Sequence, residues 1–530
     1  MGLAGKCWRG KRMKQGKKEK NMYDYIIVGA GSAGCVLANR LTEDPETSVL
    51  VLEAGGTDDV PEIHNPADTP KLLQSAVDWA YFTEEEPYLN HRKIYWPRGK
   101  VLGGSSSTNH MVYVRGHRHD YDHWQELGNE GWSYNEILPY FKKAEHYEGG
   151  ASEYRGREGP LTVIDLPAIN QAIGLPAINP LTSAFLEAGG ELGWSRNDDY
   201  NGASQEGFGT LQFTIRQGQR QSTAVAYLHP VMSRPNLTVW TQTLVTRILF
   251  EGTHAVGVAY LKDGVEQQER VKKEVILSSG AINSPQTLLL SGVGPADQLR
   301  ELDIEVVADL AGVGSNLQDH PDVPVYDTTK PSFSQFGHAV AAEGNAFVKT
   351  QQNLLEPNIQ ILFLPYFYPP ETGNGYTHLI ILGTLQSRGH VTLRSTDPTQ
   401  HPAIYANYLS SETDLQALVE GVKLARRLGH AKAFAPFYEG DAYPGPQLQS
   451  EKEIIEYIRS HVQPMYHPGG TCKMGHDDLA VVDEQLQVRG VEGLRVVDAS
   501  IMPTLPNGNI NAAVIMIAEK AADLLSGHKS

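Results

Sequence analysis

Tyr25-Ile26-Ile27-Val28-Gly29-Ala30-Gly31-Ser32-Ala33-Gly34 is the stretch whose reading decides the fold. Its first four residues are aromatic or β-branched and carry no charge, the pattern of a strand buried on both faces of a parallel sheet. A glycine-rich turn follows at once, and then a helix-periodic run through Val36, Leu37 and Leu41. A second apolar strand, Val49-Leu50-Val51-Leu52, ends in Glu53. Strand, glycine turn, helix, strand and acid in this order predict a dinucleotide-binding unit. Gly29 permits the tight turn, Gly31 lets the backbone approach a pyrophosphate, and Gly34 lets helix and strand pack closely. The first helical turn, at Ser32 and Ala33, offers unpaired N–H groups and the positive end of a dipole to phosphate. Glu53, followed by Ala54, stands 19 residues after Gly34. A carboxylate there accepts hydrogen bonds from ribose hydroxyls and repels a 2′-phosphate. FAD and NAD both use such a unit, so it alone leaves the cofactor open.

The chain has 530 residues, more than one simple core holds, and two intertwined domains are expected. With 40% hydrophobic and 20% charged residues it reads as a soluble globular enzyme. Its 45 Lys and Arg against 62 Asp and Glu leave a net charge of −17, which argues against nucleic acid as a partner. The charge is uneven: residues 1–21 hold eight Lys or Arg and one Glu. That basic head has no apolar run behind it, so it reads as a solvated tail rather than a secretory signal. Met22 offers an alternative start just before the first strand. No run of 18 apolar residues exists to form a transmembrane segment. Three scattered cysteines, Cys7, Cys35 and Cys472, make no disulfide framework. A cytoplasmic location, or a peripheral one at a membrane, is expected.

Four further segments carry structure or chemistry. Trp96-Pro97-Arg98-Gly99-Lys100 runs into Leu102-Gly103-Gly104-Ser105-Ser106-Ser107-Thr108-Asn109, then Met111, Tyr113, Arg115 and Gly116. Its paired glycines predict a backbone lying flat against something. Strand-like Val275-Ile276-Leu277 leads to Gly280-Ala281-Ile282-Asn283-Ser284-Pro285, where Ser284 and Pro285 predict a helix start. Gly312-Val313-Gly314-Ser315-Asn316-Leu317-Gln318-Asp319-His320-Pro321 follows. Near the C-terminus stand His467-Pro468-Gly469-Gly470-Thr471-Cys472, Val497-Asp498-Ala499-Ser500 and Asn507-Gly508-Asn509-Ile510-Asn511, the last opening an amphipathic helix.

On these motifs, in this order over about Tyr23 to Leu525, the chain resembles the glucose–methanol–choline oxidoreductase family, nearest in character to bacterial choline and alcohol dehydrogenases. The resemblance implies an α/β fold, α+β overall, with a Rossmann-like FAD-binding domain and a substrate domain of antiparallel sheet and helices. Residues 22–160, 220–315 and 480–530 are expected to form the first, and 161–219 with 316–479 the second. It implies FAD contacts from Gly29, Gly31, Ser32, Ala33, Gly34, Glu53, Ala54, Gly103, Gly104, Ser105, Thr108, Asn109, Met111, Val245, Asp498, Ala499 and Ile510. Some relatives attach the flavin through a histidine just before the asparagine of the glycine–serine segment. Thr108 stands there, so non-covalent FAD is expected.

The same resemblance puts His467 over the flavin as base. It also identifies Asn509, ten residues before Glu519, as the amide that supports the substrate oxygen. Oxidising an alcohol needs those two functions and a hydride acceptor, which FAD supplies through N5. No CxxC pair or HExxH helix suggests a metal, and no G-x-S-x-G elbow suggests a hydrolase. The expected reaction is oxidation of a primary aliphatic or aromatic alcohol, or of choline, to an aldehyde or ketone. The electrons then pass to oxygen, a quinone or a dye-like carrier. A flavin-fold lyase or decarboxylase is the rival class. Tyr466 and Glu343 are candidates for holding a cationic substrate, and the aromatic run Phe363–Pro369 for an apolar pocket wall. The pentapeptide Leu166-Pro167-Ala168-Ile169-Asn170 recurs at 175–179, which predicts a tolerant surface loop or a lid over the pocket.

Overall fold

A computed structural model of the chain describes residues 22–331, 340–367, 373–448 and 450–527. The basic head with Cys7, and Tyr368 and Pro369 of the aromatic run, lie outside the described residues. The fold is mixed α/β, built on two large sheets.

The first sheet forms where the opening motif predicts it. Tyr23–Val28 pairs in parallel with Val49–Leu52 on one side and with the end of Val265–Leu277 on the other. Leu237–Trp240 and Leu494–Val496 add the parallel outer strands. Ile26, Ile27, Val49, Leu50, Val51, Val275 and Ile276 have no exposed surface, so both faces of this sheet are covered. Strand Val265–Leu277 does double service: its first half pairs antiparallel with His254–Lys262, which in turn pairs with Thr243–Glu251.

Strand order, not chain direction, reverses between Val28 and Leu277: the connections on the two sides lead away in opposite senses, because the next strand on each side comes from a different part of the sequence. Such a switch point leaves a crevice outside the carboxyl ends of the strands. The helix Ser32–Leu41 and the final helix Asn511–Ser526 pack together on one face. A two-pronged ion pair ties the last turn of the first to the middle of the second, Arg40 to the fully buried Glu519 at 2.8 and 2.9 Å.

The second sheet is antiparallel, in the order Tyr438–Tyr443, Pro321–Thr329, Gly375–Leu382, Ile359–Leu364, Gly344–Val348 and Gly207–Thr210. Helices Pro180–Glu191, Glu412–Gly429 and Glu451–His461 supply the core on one face, with Val323, Ile361, Phe363 and Ile380. The alternate residues Leu362, Leu364 and Leu379 turn to the other face and meet Met111 and Val112 of the glycine–serine segment.

Two local expectations change. The helix after Leu277 starts at Gly280, not at Ser284, and Pro285 sits inside it. Proline there cannot donate to the Ala281 carbonyl, and the Thr471 hydroxyl donates to that carbonyl instead, at 2.6 Å. The repeated pentapeptide forms no single loop. The first copy begins the helix Leu166–Ala172 with Leu166 fully buried, and the second is an irregular, bent segment leading into Asn179, which caps Pro180–Glu191. Among the described residues no helix is long and apolar enough to cross a membrane.

Candidate active site

The crevice at the switch point opens into a cavity of about 530 Å³ that runs from the glycine turn to the second sheet. Its floor is backbone. A side chain on Gly29 would strike the Ser278 carbonyl at 2.6 Å, and one on Gly34 would strike the Gly29 carbonyl at 1.9 Å. The paired glycines do lie flat, against the turn itself: a Cβ on Gly104 would meet Gly31 Cα at 2.7 Å. A Cβ on Gly31 would instead find nothing nearer than 3.8 Å, so the protein leaves that position open toward the cavity.

These residues fit FAD. The first turn of Ser32–Leu41 faces the cavity, and Ser32 donates to Asn511 Oδ1 at 2.7 Å, which brings the start of the last helix alongside. Two helix N-termini with unpaired N–H groups thus converge on one space, an arrangement that favours negative charge there. Glu53 receives the Ala30 and Gly55 N–H groups at 2.8 Å each and lines the same wall. Asp498 receives Gly280 N–H at 2.9 Å, Ser284 O–H at 2.6 Å and Ser500 N–H at 2.8 Å. Ser278 Oγ is buried at the cavity with no partner among the described residues.

At the other end His467 Nε2 and Asn509 Nδ2 are 3.1 Å apart, and both residues line the cavity. His467 comes from a turn in which Tyr466 has φ +63°. A left-handed non-glycine residue costs energy, and here the Arg98 guanidinium holds the Tyr466 carbonyl while Asp319 Oδ1 receives the His467 N–H at 2.6 Å. Asp319 also receives the Tyr408 hydroxyl, and burial raises its carboxyl to about 7. Behind the imidazole, His320 Nδ1 lies 3.1 Å from His467 Nδ1. Burial first, then His320 and the Arg98 charge, hold His467 well below the ordinary histidine value. The site thus favours the neutral form of this imidazole. Asn509 Oδ1 is buried without a partner among the described residues.

Of the residues expected to meet FAD, all line the cavity except two. Gly34 packs under the turn and Gly103 points toward Ala224. Two substrate-site candidates are displaced by strand alternation. Glu343 faces the helix side, bound by the Thr182 hydroxyl at 2.7 Å, while its neighbour Ala342 faces the cavity. Phe363 stacks on Phe185 at 4.9 Å inside the helix-side core, and the cavity wall is Leu362 and Leu364. Tyr466 does line the cavity.

The sequence reading passed over Arg98, His320 and Asp322. Asp322 is 4% exposed, lines the cavity and has no side-chain hydrogen-bond partner among the described residues. Burial and then the nearby Asp319 push its carboxyl well above the usual range. The only signal was the run Asp319-His320-Pro321-Asp322 after a glycine-rich turn, whose facing depends on strand register.

A sheet switch point, a glycine cradle for pyrophosphate and an imidazole–amide pair beside it define a nucleotide-cofactor oxidoreductase. Family models described as GMC oxidoreductase match residues 23–322 and 386–518, and the chain belongs to that family. It is 47% identical to mouse mitochondrial choline dehydrogenase over 96% of this chain and 90% of that one. It is 44% identical to an acceptor-dependent alcohol dehydrogenase of Pseudomonas putida, over 95% and 96%. The crystal structure of pyridoxine 4-oxidase from Mesorbium loti superposes with a TM-score of 0.90 at 33% identity, covering 96% of this chain and all of that one. The protein is an FAD-dependent oxidoreductase acting on CH–OH donors, taking an alcohol substrate and an electron acceptor.

Burial raises Glu53 from 4.5 to about 7, against the two N–H bonds that lower it. A raised folded-state value means that this contribution to stability is complete below pH 4.5 and lost as the pH climbs through about 7. In flavin-stripped protein, Glu53→Gln removes that dependence, worth about 3 kcal/mol. Thermal melts at pH 5 and pH 8 check it: the variant gains on the parent protein at the higher pH, and an unchanged gap refutes the assignment.

Proposed function

We propose that the chain oxidises a primary alcohol to an aldehyde at the His467–Asn509 pair. Residues 22–160, 220–315 and 480–530 bind FAD, and 161–219 with 316–479 bind substrate. The observation that carries this reading is the neutral imidazole paired at 3.1 Å with an amide, both open to the cavity that the glycine cradle shares.

When bound, FAD supplies the acceptor for the hydride that leaves the carbinol carbon. His467 Nε2 takes the hydroxyl proton. Asn509 supports the substrate oxygen, more strongly as its negative charge grows. The Arg98 cation in the same wall favours that charge and keeps the imidazole unprotonated until the reaction needs it. Met465, Leu362, Leu364 and Leu379 exclude water from the substrate end.

FAD is held without a covalent link in this reading. Thr108 lines the cavity where a ring nitrogen would be required, and its hydroxyl turns back to the Ser105 carbonyl. Acid precipitation of the holoenzyme is expected to leave the flavin in the supernatant; a yellow pellet is the contrary result.

A substrate with an apolar body suits the walls. A cationic alcohol such as choline is the second reading, favoured by Asp322. A quaternary ammonium beside that carboxyl returns it to the ionised form and gains from the unscreened pairing. Asp322→Asn separates the two. It raises KM for choline at least tenfold and leaves a medium-chain alkanol within about twofold if the substrate is cationic. Equal effects on both favour the neutral alcohol.

His467→Ala is expected to keep FAD bound and lower turnover by about 10²–10⁴-fold. Flavin absorbance in the anaerobic variant then bleaches slowly when alcohol is added. Bleaching as fast as in the parent protein refutes the base.

A further inference from the structure

His320 closes the Asp319-His320 step of the glycine-rich segment, and the chemistry above gives it no task. It is fully buried, and its ring meets the His467 ring edge-on, with centroids 5.3 Å apart. The contact is between the two Nδ1 atoms, 3.1 Å apart. One of them must carry a proton and the other must not, because two lone pairs or two N–H groups would repel.

The choice follows from what lies beyond each ring. His467 Nε2 faces the Asn509 Nδ2 amide, a donor, at 3.1 Å, so Nε2 is the unprotonated nitrogen. The remaining proton of a neutral His467 is then on Nδ1 and is donated to His320 Nδ1. His320, also neutral, keeps its own proton on Nε2, which is buried without a hydrogen-bond partner among the described residues. Asn509 N–H to His467 and His467 N–H to His320 then each match one donor with one acceptor.

We infer that His320 is a positioning residue that accepts the Nδ1 proton of His467 and so leaves the Nε2 lone pair free to face the substrate hydroxyl. This rests on His467 being the base. Without His320, the imidazole is free to rotate or to place its proton on Nε2, and that tautomer accepts nothing from an alcohol. When the hydroxyl proton arrives on Nε2, the Nδ1–H stays donated to His320, so the new imidazolium keeps an acceptor within the buried site. The pair contains no carboxylate, in contrast to a Ser-His-Asp arrangement, where an acid holds the imidazole in its working tautomer. A neutral acceptor suits this site, because an ionised group would be costly to bury there.

The test uses the holoenzyme with Ala and Asn at position 320, alone and combined with His467→Ala. Asn places a carbonyl oxygen about where Nδ1 stands. The expected result is that His320→Ala lowers kcat about 10- to 100-fold, with KM and FAD content unchanged, and that His320→Asn recovers most of it. In the His467→Ala background, His320→Ala is expected to cost nothing more, because the two act as a unit. Equal losses in Ala and Asn, a loss shared by KM and FAD content, or a further fall in the double variant each overturn the inference. Full activity of His320→Ala beside a crippled His467→Ala overturns it while leaving the base in place. Full activity of His467→Ala removes both.

Discussion

Backbone resting on backbone is the constraint from which the rest of the molecule follows. Gly31 and Gly104 approach so closely that a single added methyl group would bring 2.7 Å contact, and Gly29 lies as tightly on Ser278. Three chain segments distant in sequence are thereby pinned at the carboxyl ends of the same parallel strands. Nothing with a side chain takes those places. The cavity exists because these turns touch at their glycines and stay apart just beyond them, where a Cβ added to Gly31 would meet nothing nearer than 3.8 Å.

The electrostatics of that cavity run one way. Two helix starts face it, the Arg98 cation stands in its wall, and Arg220 sits one layer behind, bonded among the described residues to neutral oxygens of Ile63, Thr69, Ser106 and Asn109. Burial and the Arg220 charge hold His110, another cavity imidazole, down to about 4. The carboxyls that line it, Glu53, Asp322 and Asp498, are all pushed toward their neutral forms by burial. A site arranged in this way stabilises negative charge that arrives from elsewhere, whether phosphate or alkoxide.

What the sequence made legible divides along physical lines. Glycines that permit contact at positive φ restrict residue type absolutely, so the turn at 29–34 and the pair at 103–104 could be read from the chain. The parallel sheet was legible as well, since its apolar runs mark strands buried on both faces, whereas the antiparallel sheet was expected only from the family resemblance. The facing of residues inside the antiparallel sheet was not. Glu343 and Phe363 were expected at the pocket and point the other way, whereas Asp322 drew no attention and points in. A period of two means that one residue of register decides which side chain meets the substrate, and register is set by partners far away in sequence. The pentapeptide that is helical at 166–170 and irregular, with bends, at 175–179 shows the same limit: one string, two structures.

Strain completes the argument for where the chemistry lies. Among the described residues lining the cavity, Met111 and Tyr466 are the non-glycine ones with left-handed backbone, at φ +61° and +63°. Each costs energy that the surroundings must cover. At Met111, the Asn109 side chain receives the Met111 N–H at 2.9 Å and is itself gripped by buried Arg220. At Tyr466, Arg98 grips the carbonyl and Asp319 the following N–H. Both turns are therefore held by an arginine from outside the strained segment. A fold does not spend two buried guanidinium groups on turns that are free to relax. The conformations they enforce aim His467 from one side and the 109–111 backbone from the other into the same cavity.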